Sequence, residues 1–105
     1  AKVEIFSDIA KVTFNEPSLT YKMVPSLERV YGKENVKITP FITGAEDFPF
    51  FTDHAPGLYF FNGVAPDPSK AAPNHSPYFF ADERNLKYGT KALTQLAVDY
   101  LYLYK

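Results

Sequence analysis

Hydrophobic and polar residues follow one another along the chain in patterns that predict several strands. Residues 2–6 alternate and 11–14 alternate again, as strands with one buried face do, with turn-forming residues at 7–8 between them. These two segments are typical of a hairpin or of two strand fragments. Residues 36–42 form a third strand-like segment, and the nearly continuous apolar run at 58–64 is typical of a strand buried on both faces.

A helix is predicted between the second and third of these segments. Asn15 or Ser18 is a candidate N-cap, and Pro17 suits the first helical turn. Gly32 marks the end, whereas Pro25 removes one backbone hydrogen bond and predicts a bend. Apolar residues at helical spacing support the helix: Leu19, Met23, Leu27, Val30 and Tyr31.

The second half of the chain is predicted to hold a short helix, a loop and a long helix. A turn at 44–48 leads into the short helix, which ends near 54–57. Residues 65–77 contain four prolines and little periodicity, which predicts a loop. A long amphipathic helix starts at Asp82 and Glu83, and its apolar side is Leu86, Leu93, Leu96, Ala97, Tyr100, Leu101 and Leu103. Strands alternating with helices favour an α/β fold.

Composition narrows the classes of function. The 105-residue chain has a net charge of −1 with scattered acids and bases, which argues against nucleic-acid and anionic-membrane partners. No apolar run reaches the roughly 20 residues of a membrane span. Cysteine is absent, so disulfides and thiolate metal ligands are excluded. Aromatic residues make up 17%, which indicates surfaces that pack against another domain or another copy.

His75 is one residue with candidate chemistry. It lies in the sequence Pro73-Asn74-His75-Ser76-Pro77, where prolines on both sides restrict the loop. A metal ligand must be held still, and imidazole is the commonest protein ligand for metals. The simpler interpretation is a surface histidine in a stiff loop, since zinc needs at least three protein ligands. The local pattern leaves both interpretations open.

Gly44-Ala45-Glu46-Asp47-Phe48 is the other candidate. Glu46 and Asp47 are adjacent carboxylates at a predicted strand-to-helix junction, where they could orient a metal-bound water or a ligand histidine. Equally, they could cap the helix and complement its positive end. Gly44 permits close backbone approach or a positive φ angle.

Four motifs, in order and at matching spacing, resemble a known enzyme family. They are residues 23–30 (MVPSLERV), 44–48 (GAEDF), 56–61 (PGLYFF) and 73–80 (PNHSPYFF). The match extends across roughly residues 3 to 103 and is similar to the aminoacylase and hippurate-hydrolase branch of the zinc metallopeptidases. This is peptidase family M-twenty, which includes carboxypeptidases and amidohydrolases.

The resemblance implies a fold and a division of the chain. Family members have a layered α/β catalytic domain with an inserted lid domain that mediates dimerisation in many of them. Residues 1–10 would be the end of the lid domain, with its last strand at 1–6, and 11–105 the C-terminal part of the catalytic domain. The N-terminal half, with the general-base glutamate and most metal ligands, would lie outside this chain. No catalytic residue is therefore assigned within it.

The resemblance also implies a site and a reaction. His75 would be the last ligand of a site that holds two zinc ions or other divalent metals. Gly44, Glu46, Asp47 and Asn74 would support that site. The reaction would be hydrolysis, by a metal-activated water, of an N-acyl amino acid or small peptide. Localisation stays open between the cytoplasm and a periplasmic or secreted location.

These features predict how the 105-residue chain behaves alone. We expect little or no hydrolysis of N-acyl amino acids, because the base and most ligands are missing. We also expect self-association through the aromatic surfaces, measurable by light scattering. The alternative function is a non-catalytic, self-associating structural or interaction module. A monomer that turns over substrate would contradict both expectations.

Overall fold

The computed structural model describes residues 1–4 and 10–105. Its regular elements are helical. Among the described residues, the α-helices are Pro17–Tyr31 (α1), Phe48–Thr52 (α2) and Leu86–Leu103 (α3). Single turns of 3₁₀ helix lie at Lys33–Asn35, Pro68–Lys70 and Glu83–Asn85. No helix among the described residues combines the length and apolar character needed to cross a membrane.

The chain divides into two compact units. The first unit consists of Ala1–Lys22 and Lys37–Tyr59, and the second of Met23–Val36 and Phe60–Lys105. The first unit contains α2, and the second contains α3. Each is described separately below.

The predicted strands at 11–14, 36–42 and 58–64 do not form in the described part of the chain. An extended segment becomes a strand only when a neighbouring strand completes its hydrogen bonds. In 58–64 the backbone is bonded in other ways, to the Asn15 side chain and to the Asp82 amide. The strands expected in these segments are therefore absent from the described residues, which fold as helices and irregular segments.

The prediction for 2–6 and its turn at Ser7 and Asp8 lies largely outside the described residues. Residues 1–4 have no regular structure. The domain boundary near residue 10 accordingly stays a prediction.

The start of α1 differs from the predicted cap. Glu16 precedes the first helical residue, Pro17, and its carboxylate accepts hydrogen bonds from the backbone N–H groups of Ser18 (3.0 Å) and Leu19 (2.6 Å). Glu16 thereby satisfies amides that have no partner within the helix. Asn15 is not the cap because its side-chain amide bonds to the Tyr59 backbone, and Ser18 is already inside the helix.

The interior and end of α1 follow the sequence prediction. Met23, Ser26 and Leu27 are buried, and the helix continues through Pro25. It ends before Gly32, whose φ of +83° is a conformation that side chains with a Cβ rarely adopt.

The buried side of α3 differs from the predicted one. Ala92 is fully buried, whereas five of the predicted apolar residues are 43–66% exposed: Leu86, Leu93, Tyr100, Leu101 and Leu103. Within the second unit, Asp99 of α3 bonds to Ser26 and Arg29 of α1. The side of α3 with small and polar residues is buried because it makes these contacts with α1. The spacing of apolar residues alone does not predict which side of the helix is buried.

Gly57 lies against α2 in the first unit. The Phe48 and Tyr59 rings are in contact, with centroids 5.2 Å apart. A Cβ atom on Gly57 would lie 2.8 Å from Phe48 Cζ and 2.6 Å from Thr52 Cγ2, closer than carbon atoms can approach without displacement. The packing of α2 therefore requires glycine at this position.

Replacing Gly57 with alanine should destabilise the first unit by about 1–3 kcal/mol, because overpacking forces the helix or the 57–59 segment to move. Equilibrium urea unfolding measures the loss. Gly44→Ala is the matched control, since nothing lies within 4 Å of the added Cβ there. Equal unfolding midpoints for the two variants would contradict this account of Gly57.

Candidate functional site

His75 lies in a tight turn in the second unit. The backbone N–H of Ser76 donates to the carbonyl of Pro73 at 2.9 Å, and the N–H of Phe79 donates to the carbonyl of Ser76 at 3.0 Å. Asn74 and His75 are both exposed. The two successive turns restrain the backbone of His75 while its imidazole stays accessible to a ligand.

The segment that carries His75 is closed at its base by Asp82. The Asp82 N–H donates to the carbonyl of Val64 at 2.8 Å, which joins the two ends of residues 65–81. The Asp82 carboxylate accepts from the Arg84 backbone N–H (3.0 Å) and side-chain Nε (2.9 Å). These bonds, chiefly those from the guanidinium, lower the pKa of Asp82. The Asp82 backbone thus closes the loop, and its mostly buried carboxylate caps the 3₁₀ turn at Glu83–Asn85.

Gly44, Glu46 and Asp47 lie in the first unit, immediately before α2, and all three are exposed. Asp47 occupies the N-cap position of α2, yet its side chain makes no capping hydrogen bond. The capping interpretation therefore does not explain Asp47. The space around Gly44 is open, with nothing within 4 Å of where a Cβ would be.

Glu46 has a neighbour that the sequence did not reveal. Its carboxylate lies near the Tyr59 hydroxyl. Burial of the phenol, and after it the nearby Glu46 carboxylate, raise the pKa of Tyr59. The available signal was that Tyr59 stands in an otherwise apolar run, where a tyrosine hydroxyl usually needs a partner.

The Asn15 side chain hydrogen-bonds to both backbone polar groups of Tyr59. Its Nδ2 donates to the Tyr59 carbonyl at 2.8 Å, and the Tyr59 N–H donates to Asn15 Oδ1 at 2.7 Å. The neighbouring Glu16 N–H donates to the Gly57 carbonyl at 3.0 Å. The side-chain amide reproduces the paired bonds of a strand neighbour. Sequence reasoning missed this role because the two residues are 44 positions apart.

The predicted site residues are divided between the two units. Asn74 and His75 belong to the second, and Gly44, Glu46 and Asp47 to the first. Among the described residues, no group of three or more histidines, aspartates and glutamates is placed to hold a metal ion. Zinc requires at least three protein ligands, so the described residues do not form a zinc site by themselves.

The second unit also has an open groove of about 450 Å³. It has no histidine or carboxylate in its lining, which offers no ligands for a metal. The lining residues are Arg29, Val30, Thr90, Lys91, Thr94, Gln95 and Val98.

Comparison with known proteins identifies the family to which the chain belongs. The sequence profile described as "Peptidase family M20/M25/M40" matches residues 1–99. The chain belongs to this family. The resemblance seen in the four sequence motifs is thereby confirmed for nearly the whole chain.

Curated relatives of this peptidase family are similar to the chain over most of its length. Thermostable carboxypeptidase 2 of Saccharolobus solfataricus is 35% identical over 100 residues, or 94% of this chain and 25% of the relative. Putative amidohydrolase YhaA of Bacillus subtilis is 29% identical, covering 82% of this chain and 22% of the relative. IAA-amino acid hydrolase ILR1-like 2 of Arabidopsis thaliana is 28% identical, covering 85% and 20%.

The chain therefore spans about a quarter or less of the length of these relatives. No solved structure matches the chain. Members of the M20/M25/M40 family are generally metal-dependent, usually on zinc. Because the described residues lack a full ligand set, any metal site must include groups beyond those described here.

The bonds from Arg84 to the Asp82 carboxylate should make the stability of the chain sensitive to acid. The pKa of this carboxylate is lower than that of an unfolded aspartate, so the stabilisation is fully present above the unfolded value of about 3.9 and is lost as pH falls further. Stability measured by urea unfolding should fall below about pH 4, and Asp82→Asn should flatten this dependence.

The matched control for the acid experiment is Glu83→Gln, at the exposed neighbouring position. It should keep the same loss of stability in acid as the unmodified chain. An Asp82→Asn variant with an unchanged acid profile would show that the bonds between this carboxylate and Arg84 do not stabilise the fold.

Proposed function

We propose that the full protein carrying this chain is a metal-dependent amidohydrolase that cleaves N-acyl amino acids or small peptides with a metal-activated water. The family match over residues 1–99 is the observation that carries the proposal. Relatives named as a carboxypeptidase, an amidohydrolase and an amino acid hydrolase support the same class of bond.

His75 is proposed as one ligand of the metal site, with zinc as the metal and two ions per site. Its exposed imidazole on a turn held by the Ser76–Pro73 hydrogen bond suits this role. Prolines at 73 and 77 restrict the same segment. A ligand whose backbone is already ordered loses little conformational entropy when it binds.

The remaining ligands and the general base are proposed to come from sequence outside these 105 residues. Asn74 adjoins the ligand, and Gly44, Glu46 and Asp47 are proposed to border the site. The support for these three residues is that they are exposed immediately before α2, where the Asp47 side chain makes no capping hydrogen bond.

Self-association is a second candidate function, and the surface of α3 favours it for the chain in isolation. Leu93, Tyr100 and Leu103 are 43–63% exposed, and their spacings of seven and three residues place them along one side of this helix. Neighbouring exposed apolar side chains are typical of surfaces that bind another protein. In this alternative the chain is a structural or interaction module without catalytic activity.

The decisive experiment is His75→Ala in the full-length protein. Loss of a ligand should lower metal affinity and hydrolysis of N-acyl amino acids by at least the 10–100-fold known for residues that merely support ligands. Metal content after dialysis and hydrolysis rate are both measured.

His54→Ala is the matched control, because His54 is exposed in the turn after α2. It should keep both metal and activity. A His75→Ala protein with full metal content and full activity would remove His75 from the ligand set.

A further inference from the structure

Ser76 is shared by the two turns that restrain His75. Its backbone N–H donates to the Pro73 carbonyl at 2.9 Å, which closes the turn that has Asn74 and His75 at its centre. Its own carbonyl accepts from the Phe79 N–H at 3.0 Å, which closes the next turn. Both backbone polar groups of Ser76 are therefore bonded within these two turns.

The Ser76 side chain adds a bond that its backbone cannot supply. Its Oγ accepts from the Tyr78 N–H at 3.1 Å. A serine at the first position of a turn commonly bonds to the amide two residues further on, and this bond stabilises the turn. Pro77 lies between them, where its fixed φ suits the second position of the turn and its nitrogen has no hydrogen to leave unpaired.

The backbone angles of both turns suit ordinary side chains. Apart from glycine, no residue in the described part of the chain has a positive φ. Type II turns and the primed types place a central residue in that region, so both turns belong to other classes. His75 and Tyr78 each occupy the second central position, and both keep a negative φ. The turn that carries His75 is therefore free of positive-φ strain that metal binding would have to offset.

We propose that Ser76 is a positioning residue for His75: by bonding to the Tyr78 N–H, its hydroxyl stabilises the paired turns that present the exposed imidazole to a metal ion. A ligand on a mobile segment loses backbone freedom when the metal binds, whereas a ligand on a turn that is already closed loses little. Ser76 thus acts on metal affinity through backbone order. The inference rests on the proposed function in taking His75 as a ligand.

Order in the turns is tested by hydrogen exchange in the full-length protein after a chelator has removed its metal. Ser76→Ala should speed exchange of the Tyr78 amide by up to about tenfold, because this N–H loses its acceptor. Ser76→Asn keeps a side-chain acceptor for the amide two residues further on, so it should restore slow exchange. Unchanged exchange in Ser76→Ala would contradict the proposal.

Metal affinity is measured on the same variants by competition with a zinc chelator. Ser76→Ala should weaken zinc binding about two- to tenfold, which is the range expected for one net hydrogen bond, and Ser76→Asn should recover the affinity. Urea unfolding of the metal-free variants is measured alongside. A Ser76→Ala protein that is less stable but binds zinc as tightly as before would show a purely structural role and would overturn the proposal.

Ser69→Ala is the matched control. Ser69 is exposed in the same proline-rich segment, and its Oγ donates to Asp67 at 2.7 Å, so this substitution also removes a side-chain hydrogen bond. Zinc affinity and exchange of the Tyr78 amide should both stay unchanged. Equal losses of zinc affinity in Ser69→Ala and Ser76→Ala would assign the effect to the whole segment and remove the specific role of Ser76.

The two proposals fail differently. If His75→Ala loses zinc while Ser76→Ala keeps its full affinity, the hydrolase proposal stands and only the role of Ser76 is removed. If the unmodified full-length protein binds no zinc, or if His75→Ala binds it fully, the proposed ligand is removed and the positioning role with it. Exchange of the Tyr78 amide would still show whether the Ser76 hydroxyl orders the turns.

Discussion

The first unit depends on how an extended backbone without a strand neighbour satisfies its hydrogen bonds. A single asparagine side chain, Asn15, provides both partners for Tyr59. With that residue anchored, the Phe48 ring has a surface to pack on, and α2 lies close enough to 57–59 that only glycine fits at 57. Because an unpaired backbone group that is cut off from water is costly, this amide has consequences well beyond its own two bonds.

The second unit relies on polar contacts in the same way. Asp82 joins the ends of residues 65–81, and Asp99 links α3 to α1. Hydrogen bonds also order the candidate ligand, since His75 lies in a turn closed by the bond from Ser76 to Pro73. The described residues lack a full set of metal ligands. The catalytic strength of the site would come from joining this ligand with the remaining ligands and the base.

Local chemistry in the sequence determined several features correctly: Pro17 in the first turn of α1, Gly32 after its last, the proline-rich loop and the long final helix. These depend on backbone preferences of single residues, which do not need distant partners. The four motifs also identified the family, because their order and spacing can be compared without knowing which residues are in contact. The assignment of His75 as a ligand is still a prediction from that likeness.

Only the tertiary structure decided the features that join distant positions. Strand pairing failed as a prediction because alternation in one segment says nothing about whether a neighbour is present. Glu16 replaced the expected caps, and the covered side of α3 proved to be the one that meets Ser26 and Arg29. Tyr59 is anchored by Asn15 and Phe48, which are distant in sequence. Only folding brings these residues within hydrogen-bonding or van der Waals distance of it.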